Sequence, residues 1–329
     1  MTAPAEPRRH LPPRRPDSVR RTVTVRMTPA PRWDRGIELA ATGRDVVTRA
    51  DGSSNVLAEA RIDVRIDARG TVTAARTPGT PDLGARVEGT SVTDRFRARV
   101  VAPAALALGP VALEVALLDD LPVTRLITGY AMLRAVQAGR LPAPAEPQGG
   151  RRAGPPLNVC VGWAPGATAD SRTRSNGFVL GPPVPAPPLA ELLHDAADWH
   201  EEPAPGPDTM YRRRMLELRP DGGRTEIECY LRDSWSDDAN TESSLHEYTV
   251  LASAAGEPAV LTELHSRPHC LPFPECPLAV RAADALVGTP LTDVDPTVRQ
   301  VVGGPRGCTH LADTLRSMRV LPALLEALR

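Results

Sequence analysis

The sequence contains no lysine: all 39 of its basic residues are arginine. A Schiff-base lysine, a pyridoxal-phosphate anchor, a Ser-Lys dyad and a P-loop lysine are therefore excluded, because each needs the side-chain amino group of a lysine. Such a replacement of lysine by arginine is typical of a high-GC genome. Only 3% of the residues are aromatic, so valine, leucine, alanine and isoleucine must fill the core.

Several familiar motifs are also missing. No G-x-G-x-x-G, P-loop or G-x-S-x-G motif is present, so dinucleotide, nucleotide and serine-hydrolase functions have no support. The uncharged apolar run at residues 100–113 is shorter than the ~20 residues of a membrane-spanning helix. A formal net charge of -1 creates no field that would attract nucleic acid or an anionic membrane. We therefore expect neither nucleic acid nor a membrane as a partner.

The cysteines do not indicate a disulfide framework. Their number, five, is odd, and the N-terminus is rich in arginine and proline without the apolar stretch of a secretory signal. We therefore expect reduced thiols and a cytoplasmic protein.

Two halves of the chain show a faint similarity in the same order. Arginine-led segments at 20–26 and 213–219 are each followed by an Ile-Glu pair, an Arg-Asp pair and a segment ending in Gly70 or Gly256. Alternation of polar and apolar residues predicts strands, and the two glycines predict hairpin turns. The pattern predicts an α+β fold of two related modules, each a mainly antiparallel sheet with one or two helices on one face.

The expected domain boundaries follow from this repeat. Residues 1–17 form a disordered Arg/Pro-rich tail, 18–140 a degenerate first copy, 141–208 a Pro/Gly-rich connector with a short helix, and 209–329 the second copy. Within the connector, residues 158–163 are apolar enough to dock on a module. His194, Trp199 and His200 either cover a site from above or lie on a half-exposed helix face.

The residues capable of chemistry cluster in the second copy. Gly307-Cys308-Thr309-His310-Leu311 precedes a helical pattern, which places Cys308 and His310 near a helix N-terminus. There the unpaired N–H groups and the helix dipole would lower the pKa of Cys308 and keep His310 neutral. Alternatively, Cys308 is a small buried apolar residue and Thr309 caps the helix.

Two further residues extend this candidate site. His246 lies on a predicted strand and Cys276 follows a proline-containing stretch, so His246, Cys276, Cys308 and His310 can form a tetrahedral site if the elements converge. Cys270 and Cys276 do not have zinc-knuckle spacing. The first copy has no counterpart: Ala60 takes the place of His246, and Asp119 and Asp120 are expected to cap a helix or pair with arginine.

These segments resemble the bacterial domain-of-unknown-function family 2889. The resemblance is carried by the arginine-led strand, by His246 with the acidic residue after it, by Cys276, and by the Gly-Cys-Thr-His-Leu motif at 307–311. It covers about residues 211–329, and the first half resembles the degenerate copy of longer two-copy members. The resemblance implies that His246, Cys276, Cys308 and His310 form one site, and it implies no particular activity. His265 and His269 lie outside this pattern.

The function expected from these residues is that of an enzyme of bacterial small-molecule metabolism with a Cys/His site. In one version, His246, Cys276, Cys308 and His310 bind zinc or iron, which activates water or polarises a carbonyl of a small organic molecule. In the other version, Cys308 is a nucleophile and His310 or His246 is its base. The alternative is a non-catalytic ligand-binding or scaffold protein in which the cluster is structural. No nucleotide or pyridoxal-phosphate site is expected.

Overall fold

The computed structural model of the chain describes residues 3–142, 157–176, 181–203 and 206–328. Residues 143–156, 177–180 and 204–205 of the predicted connector lie outside the described residues. In chain order the strands are β1 Ser18–Pro29, β2 Gly36–Thr48, β3 Ser54–Asp67, β4 Val72–Arg76, β5 Val184–Pro185, β6 Thr209–Asp221, β7 Arg224–Ser236, β8 Glu242–Ala255 and β9 Val260–Cys270. The helices are α1 Pro81–Val87, α2 Ala102–Leu108, α3 Leu113–Gln137, α4 Thr168–Asn176, α5 Leu189–Leu192, α6 Ala279–Ala283, α7 Val294–Val301, α8 Thr309–Arg316 and α9 Leu321–Glu326.

The nine strands of the described residues all belong to one antiparallel sheet. Its order is β4-β3-β2-β1-β6-β7-β8-β5, and β9 also pairs with β8. The two halves of the chain meet where β1 pairs with β6, from Val19 opposite Leu218 to Met27 opposite Met210. The expected α+β class with antiparallel strands is confirmed. The prediction of two modules in tandem copy is not confirmed, because backbone hydrogen bonds continue without a break from one half into the other.

Tight turns set the pairing of neighbouring strands. Gly70 and Gly256, with φ of 87° and 91°, lie in the turns before β4 and β9, so both predicted hairpins are confirmed. Gly222 and Gly223, with φ of 55° and 85°, join β6 to β7. Two-residue turns with positive φ match the twist of the flanking strands and fix their register.

Helices cover one face of the sheet and bury most of the apolar core there. In the first half, α3 packs on the sheet, with Leu117 and Val25 in one cluster. In the second half, helices α6 to α9 bury a cluster that includes Tyr248 and Leu315. Among the described residues, no helix combines the length and the hydropathy that crossing a membrane requires.

Residues 3–17 and connector residues 181–203 cover the part of the other face that is formed by β1, β6 and β7. Leu11 and Trp199 pack there against Met215. Arg15 of the N-terminal segment donates a 2.8 Å hydrogen bond to buried Glu217. The described part of the predicted disordered tail therefore lies against the sheet, where Arg8 and Arg15 pair with carboxylates of the strands.

Candidate functional site

Three side chains from adjacent strands form a row on the helix-covered face of the sheet. Arg212 of β6 is paired with Asp233 of β7, and Asp233 is paired with His246 of β8. The β7–β8 register shifts directly after Asp233, which indicates a bulge at this point. Arg212 and Asp233 are fully buried, whereas the His246 side chain is 17% exposed.

Helix α8 places His310 over this row. Cys308 is the last extended residue before the helix, Thr309 is its first helical residue and His310 its second, so the predicted helix start is correct. The approach to the helix depends on Gly307, because a Cβ there would lie 1.6 Å from the carbonyl oxygen of Val302. Only glycine therefore lets the chain pass Val302 and begin α8 at this position.

Two imidazole nitrogens face one carboxylate oxygen. Nε2 of His310 lies 3.4 Å from Oδ2 of Asp233, and Nδ1 of His246 lies 3.9 Å from the same oxygen. All three donor atoms are within 4.8 Å of one another. Both nitrogens are buried, and neither makes a hydrogen bond within the described residues.

Burial sets the protonation of these three groups. It lowers the pKa of His246 to about 3 and that of His310 well below its ordinary value, and the charge of Arg212 acts in the same direction. Burial also raises the pKa of Asp233 to about 6, although Arg212 opposes this shift. At neutral pH both imidazoles are uncharged and Asp233 is ionised, which are the forms that bind metal ions.

Arg212 is held by three carboxylates. Its Nη1 lies 3.1 and 3.0 Å from the two oxygens of Asp233, and its Nε lies 3.2 Å from Asp120 on α3. Its Nη2 lies 3.3 Å from Asp313, three residues after His310 on α8. The first half of the chain thus contributes Asp120 to the surroundings of a site in the second half.

The neighbouring Asp119 belongs to an adjoining ion-pair network. It accepts hydrogen bonds from three arginines, namely Arg97, Arg316 and Arg319. Asp120 accepts from Arg214 as well as from Arg212. The expectation that Asp119 and Asp120 pair with arginine is confirmed.

The two predicted cysteine ligands lie outside the three-atom cluster. Cys308 Sγ is 3.8 Å from Nδ1 of His310. The nitrogen of this ring that faces Asp233 is the other one, Nε2. Cys276 begins a short 3-10 turn and is buried in the same apolar cluster as Cys308. An ion bound to Nε2 of His310 would therefore have Asp233 as its third ligand rather than either sulfur.

The thiol of Cys308 also differs from the sequence-based expectation. Burial raises its pKa, although backbone N–H groups of Leu311 and His310 act in the opposite direction. The predicted lowering of the Cys308 pKa by the helix N-terminus is therefore wrong. Loss of solvation in the apolar cluster outweighs the helix dipole here.

The histidines outside the cluster lie elsewhere. His200 contacts Thr22 at 2.8 Å on the opposite face of the sheet, next to buried Trp199, so these two residues do not cover the site. His265 is exposed on β9. His269 contacts Thr249 at 2.9 Å. Neither β9 histidine joins the cluster.

Asp233 and Arg212 are not among the predicted site residues. Their signal is present in the sequence nevertheless. A hairpin centred on Gly222-Gly223 places Arg212 directly opposite Asp233. A buried arginine opposite a buried aspartate beside a histidine strand would have marked this row as a candidate site.

Comparison with protein families gives one match. Residues 210–322 match the model of a family described as "Protein of unknown function (DUF2889)". The matched region, about a third of the chain, contains the Arg212–Asp233–His246 row and α8. Comparison with curated proteins finds no match, and comparison with solved structures finds none either. The family match supports the resemblance of the second half of this chain to that family of unknown function.

Proposed function

We propose that this chain is an enzyme of bacterial small-molecule metabolism that uses a divalent metal ion bound by Asp233, His246 and His310. One observation carries the proposal: two buried imidazole nitrogens face a single carboxylate oxygen and make no hydrogen bond within the described residues. Leaving a buried polar atom unpaired costs about 1–3 kcal/mol. A cation between the three groups would pair both nitrogens at once.

The donor set fits zinc or ferrous iron. Two neutral imidazoles and a carboxylate are ligands of catalytic zinc sites and of non-haem iron sites. The donor atoms lie within 4.8 Å of one another. Rotation of the side chains would bring them to the ~2.0–2.2 Å that such ions require. Three protein ligands leave a coordination position open, as catalysis needs.

The bound ion would supply Lewis acidity toward a substrate oxygen or water. The residues of the chain would orient its ligands. Arg212 holds both oxygens of Asp233 through one nitrogen. Cys308 Sγ and Thr309 Oγ1 lie 3.8 and 3.4 Å from Nδ1 of His310. A proton on Nδ1, shared with these atoms, leaves the Nε2 lone pair directed at Asp233.

The substrate in this proposal is a small organic molecule with an oxygen that can bind the ion. His246 is the most exposed of the three ligands, at 17% of its side chain. A substrate would therefore approach from the His246 side of the cluster.

Metal analysis of protein purified without added metal tests the proposal. We expect about one equivalent of zinc or iron, because both imidazoles are already deprotonated at neutral pH. His246→Gln and Asp233→Asn should lose the metal. His265→Gln is the matched control, since His265 is exposed on the neighbouring strand β9. Wild-type protein that is free of metal and does not take up added Co²⁺ contradicts the proposal.

A second candidate function is thiol chemistry at Cys308. Cys308 Sγ lies 3.8 Å from Nδ1 of His310, and Nε2 of the same ring lies 3.4 Å from Asp233, an order of nucleophile, base and carboxylate. The raised pKa of Cys308 opposes this candidate, because a nucleophilic thiol needs a lowered pKa. Cys308→Ser would abolish activity in this case and leave metal binding intact.

A non-catalytic ligand-binding or scaffold role predicts a different response. Replacing Cys308 and His310 by alanine would then leave ligand affinity close to that of wild type. If the cluster is purely structural, the same replacements lower the melting temperature and have no other effect. Both outcomes differ from the loss of turnover that an enzyme would show.

We also propose that the two halves arose by duplication of one module. Each half contributes four successive antiparallel strands followed by helices. Arg21 on β1 is paired with Asp45 on β2, just as Arg212 on β6 is paired with Asp233 on β7. In both halves the pairing with the next strand shifts in register directly after the aspartate. The residue opposite Asp45 on β3 is Ala58, so the position equivalent to His246 is Ala58 rather than the predicted Ala60. Superposition of the two halves in an experimental structure should align all four strands in order.

A further inference from the structure

We infer that Asp120, in the first half of the chain, is a positioning residue for the metal centre in the second half. This inference rests on the proposed metal site. The side chain of Asp120 contacts Arg212 and Arg214 and does not contact the three proposed metal ligands directly. It acts through Arg212, whose guanidinium touches both Asp120 and the ligand Asp233.

The contacts of Arg212 fix the direction of the Asp233 carboxylate. Each nitrogen of the buried guanidinium serves a different aspartate: Nε serves Asp120, Nη1 serves Asp233 and Nη2 serves Asp313. The guanidinium is planar and rigid, so three contacts determine its position completely. Asp233 can therefore turn away from the two imidazoles only by losing its hydrogen bonds to Arg212 or by pulling Arg212 from its other partners.

Asp120 is shared between two arginines. Its Oδ1 lies 3.2 Å from Nε of Arg212, and its Oδ2 lies 2.7 Å from Nη2 of Arg214. Without the Asp120 charge, Arg212 would interact more strongly with Asp233 and compete with a cation for that carboxylate. Without Arg214, Asp120 would interact more strongly with Arg212 and relieve this competition. The two substitutions should thus change metal affinity in opposite directions.

Asp119 provides a matched control. It precedes Asp120 on α3 and is also buried, at 5% exposure against 1%. Its partners are three other arginines, Arg97, Arg316 and Arg319. Asp119→Asn therefore removes a buried carboxylate of the same type from the same helix without removing a partner of Arg212. Arg97 and Arg316, which also contact Asp313, keep Asp313 as a partner in this variant.

Titration of the full-length protein with Co²⁺, followed by its visible absorption bands, tests the inference. We expect Asp120→Asn to raise the Kd about 10–100-fold and to shift the bands, as loss of a residue behind a metal ligand does. Asp119→Asn should bind close to wild type. Arg214→Met should bind more tightly, and Asp120→Glu should recover part of the affinity. Thermal unfolding of each variant reports on the fold.

The outcomes separate this inference from the proposed function. If wild-type protein does not bind Co²⁺, the metal site itself is refuted, and the inference falls with it. If wild type binds and Asp120→Asn binds equally well, only the inference is overturned. Equal losses in Asp120→Asn and Asp119→Asn also overturn it, since they indicate general destabilisation. If Asp120→Asn does not fold, the Co²⁺ affinity of Arg214→Met tests the inference instead. An affinity no higher than that of wild type overturns it.

Discussion

His246 and His310 stack face to face, with ring centroids 3.6 Å apart and ring planes at 15°. Two positive charges at this separation would repel strongly, so the stack requires that at least one ring is neutral. Burial, which lowers the pKa of both rings, meets this requirement. One ring comes from strand β8 and the other from helix α8. The stack therefore holds α8 on the sheet where both rings face Asp233.

The thiols on the helix-covered face should react slowly in the folded protein. Burial raises the pKa of Cys308 and Cys276, and it raises that of Cys229 to about 12. Burial also raises the pKa of Cys160, to about 11, but this thiol is only half-buried, so it is the one that we expect to react first. Mass spectrometry after brief alkylation at neutral pH should find at most Cys160 modified, and all five thiols modified after unfolding. Rapid alkylation of Cys308 in native protein would contradict this and favour the thiol candidate.

Gly307→Ala should disrupt the start of α8. The new Cβ would lie 1.6 Å from the carbonyl oxygen of Val302, so the Cys308–His310 segment would have to move. We expect a loss of roughly 1–3 kcal/mol or more in the free energy of unfolding, together with loss of metal binding.

Gly129→Ala in α3 is the control for this substitution. Its Cβ would meet nothing within 4 Å. Alanine is favoured over glycine in a helix interior by about 0.5–1 kcal/mol, so this variant should be slightly more stable than wild type. Urea unfolding measures both changes. A Gly307→Ala protein as stable as Gly129→Ala would show that the loop relaxes freely.

Arg212→Met should be strongly destabilising. Three buried carboxylates would lose their shared cation, and breaking a buried ion pair from one side costs about 3–5 kcal/mol. Arg65→Met is the control, because Arg65 is exposed and pairs with exposed Glu38. Surface pairs of this kind contribute about 0–1 kcal/mol. Denaturant unfolding of the two variants should differ clearly, and equal stabilities would contradict the role given to Arg212.

His200 should make the stability depend on pH. Burial, aided by the charges of Arg44 and Arg213, lowers the pKa of His200 from 6.5 to about 3. In the unfolded chain His200 is protonated as the pH falls below 6.5, whereas in the folded chain it is protonated only at about pH 3. The contribution of His200 to the free energy of unfolding should fall as the pH drops through this window, by up to ~1.4 kcal/mol per pH unit.

His200→Asn should remove this contribution. Denaturant unfolding at several pH values between about 4 and 7 should show a shallower decline for the variant than for wild type. His194→Asn, at an exposed connector position, should decline as wild type does. Identical slopes for wild type and His200→Asn would mean that His200 is protonated in the folded protein.

The local features of the fold could be predicted from the sequence. The turns at Gly70 and Gly256 and the helix that begins after Cys308 all occur as expected. Each depends on a few neighbouring residues: a glycine with positive φ, or an apolar pattern after an extended residue. The pairing of β1 with β6 has no such signal, because it joins segments far apart in the chain.

The residues of the site show the same difference between what local sequence predicts and what long-range packing decides. His246 and His310 were selected by residue type and spacing, and the structure brings them together. Asp233 joins them, and Cys276 does not, because only the packing of α8 on the sheet decides which groups converge.

The sequence by itself determined the strands, the turns, the start of α8 and the exclusion of lysine chemistry, since these depend on local backbone preferences or on composition alone. Tertiary structure alone decided that one sheet spans both halves and that Asp233 faces the two histidines. It also decided that the pKa of Cys308 is raised rather than lowered. The physical reason is that long-range pairing and loss of solvation depend on neighbours from distant parts of the chain.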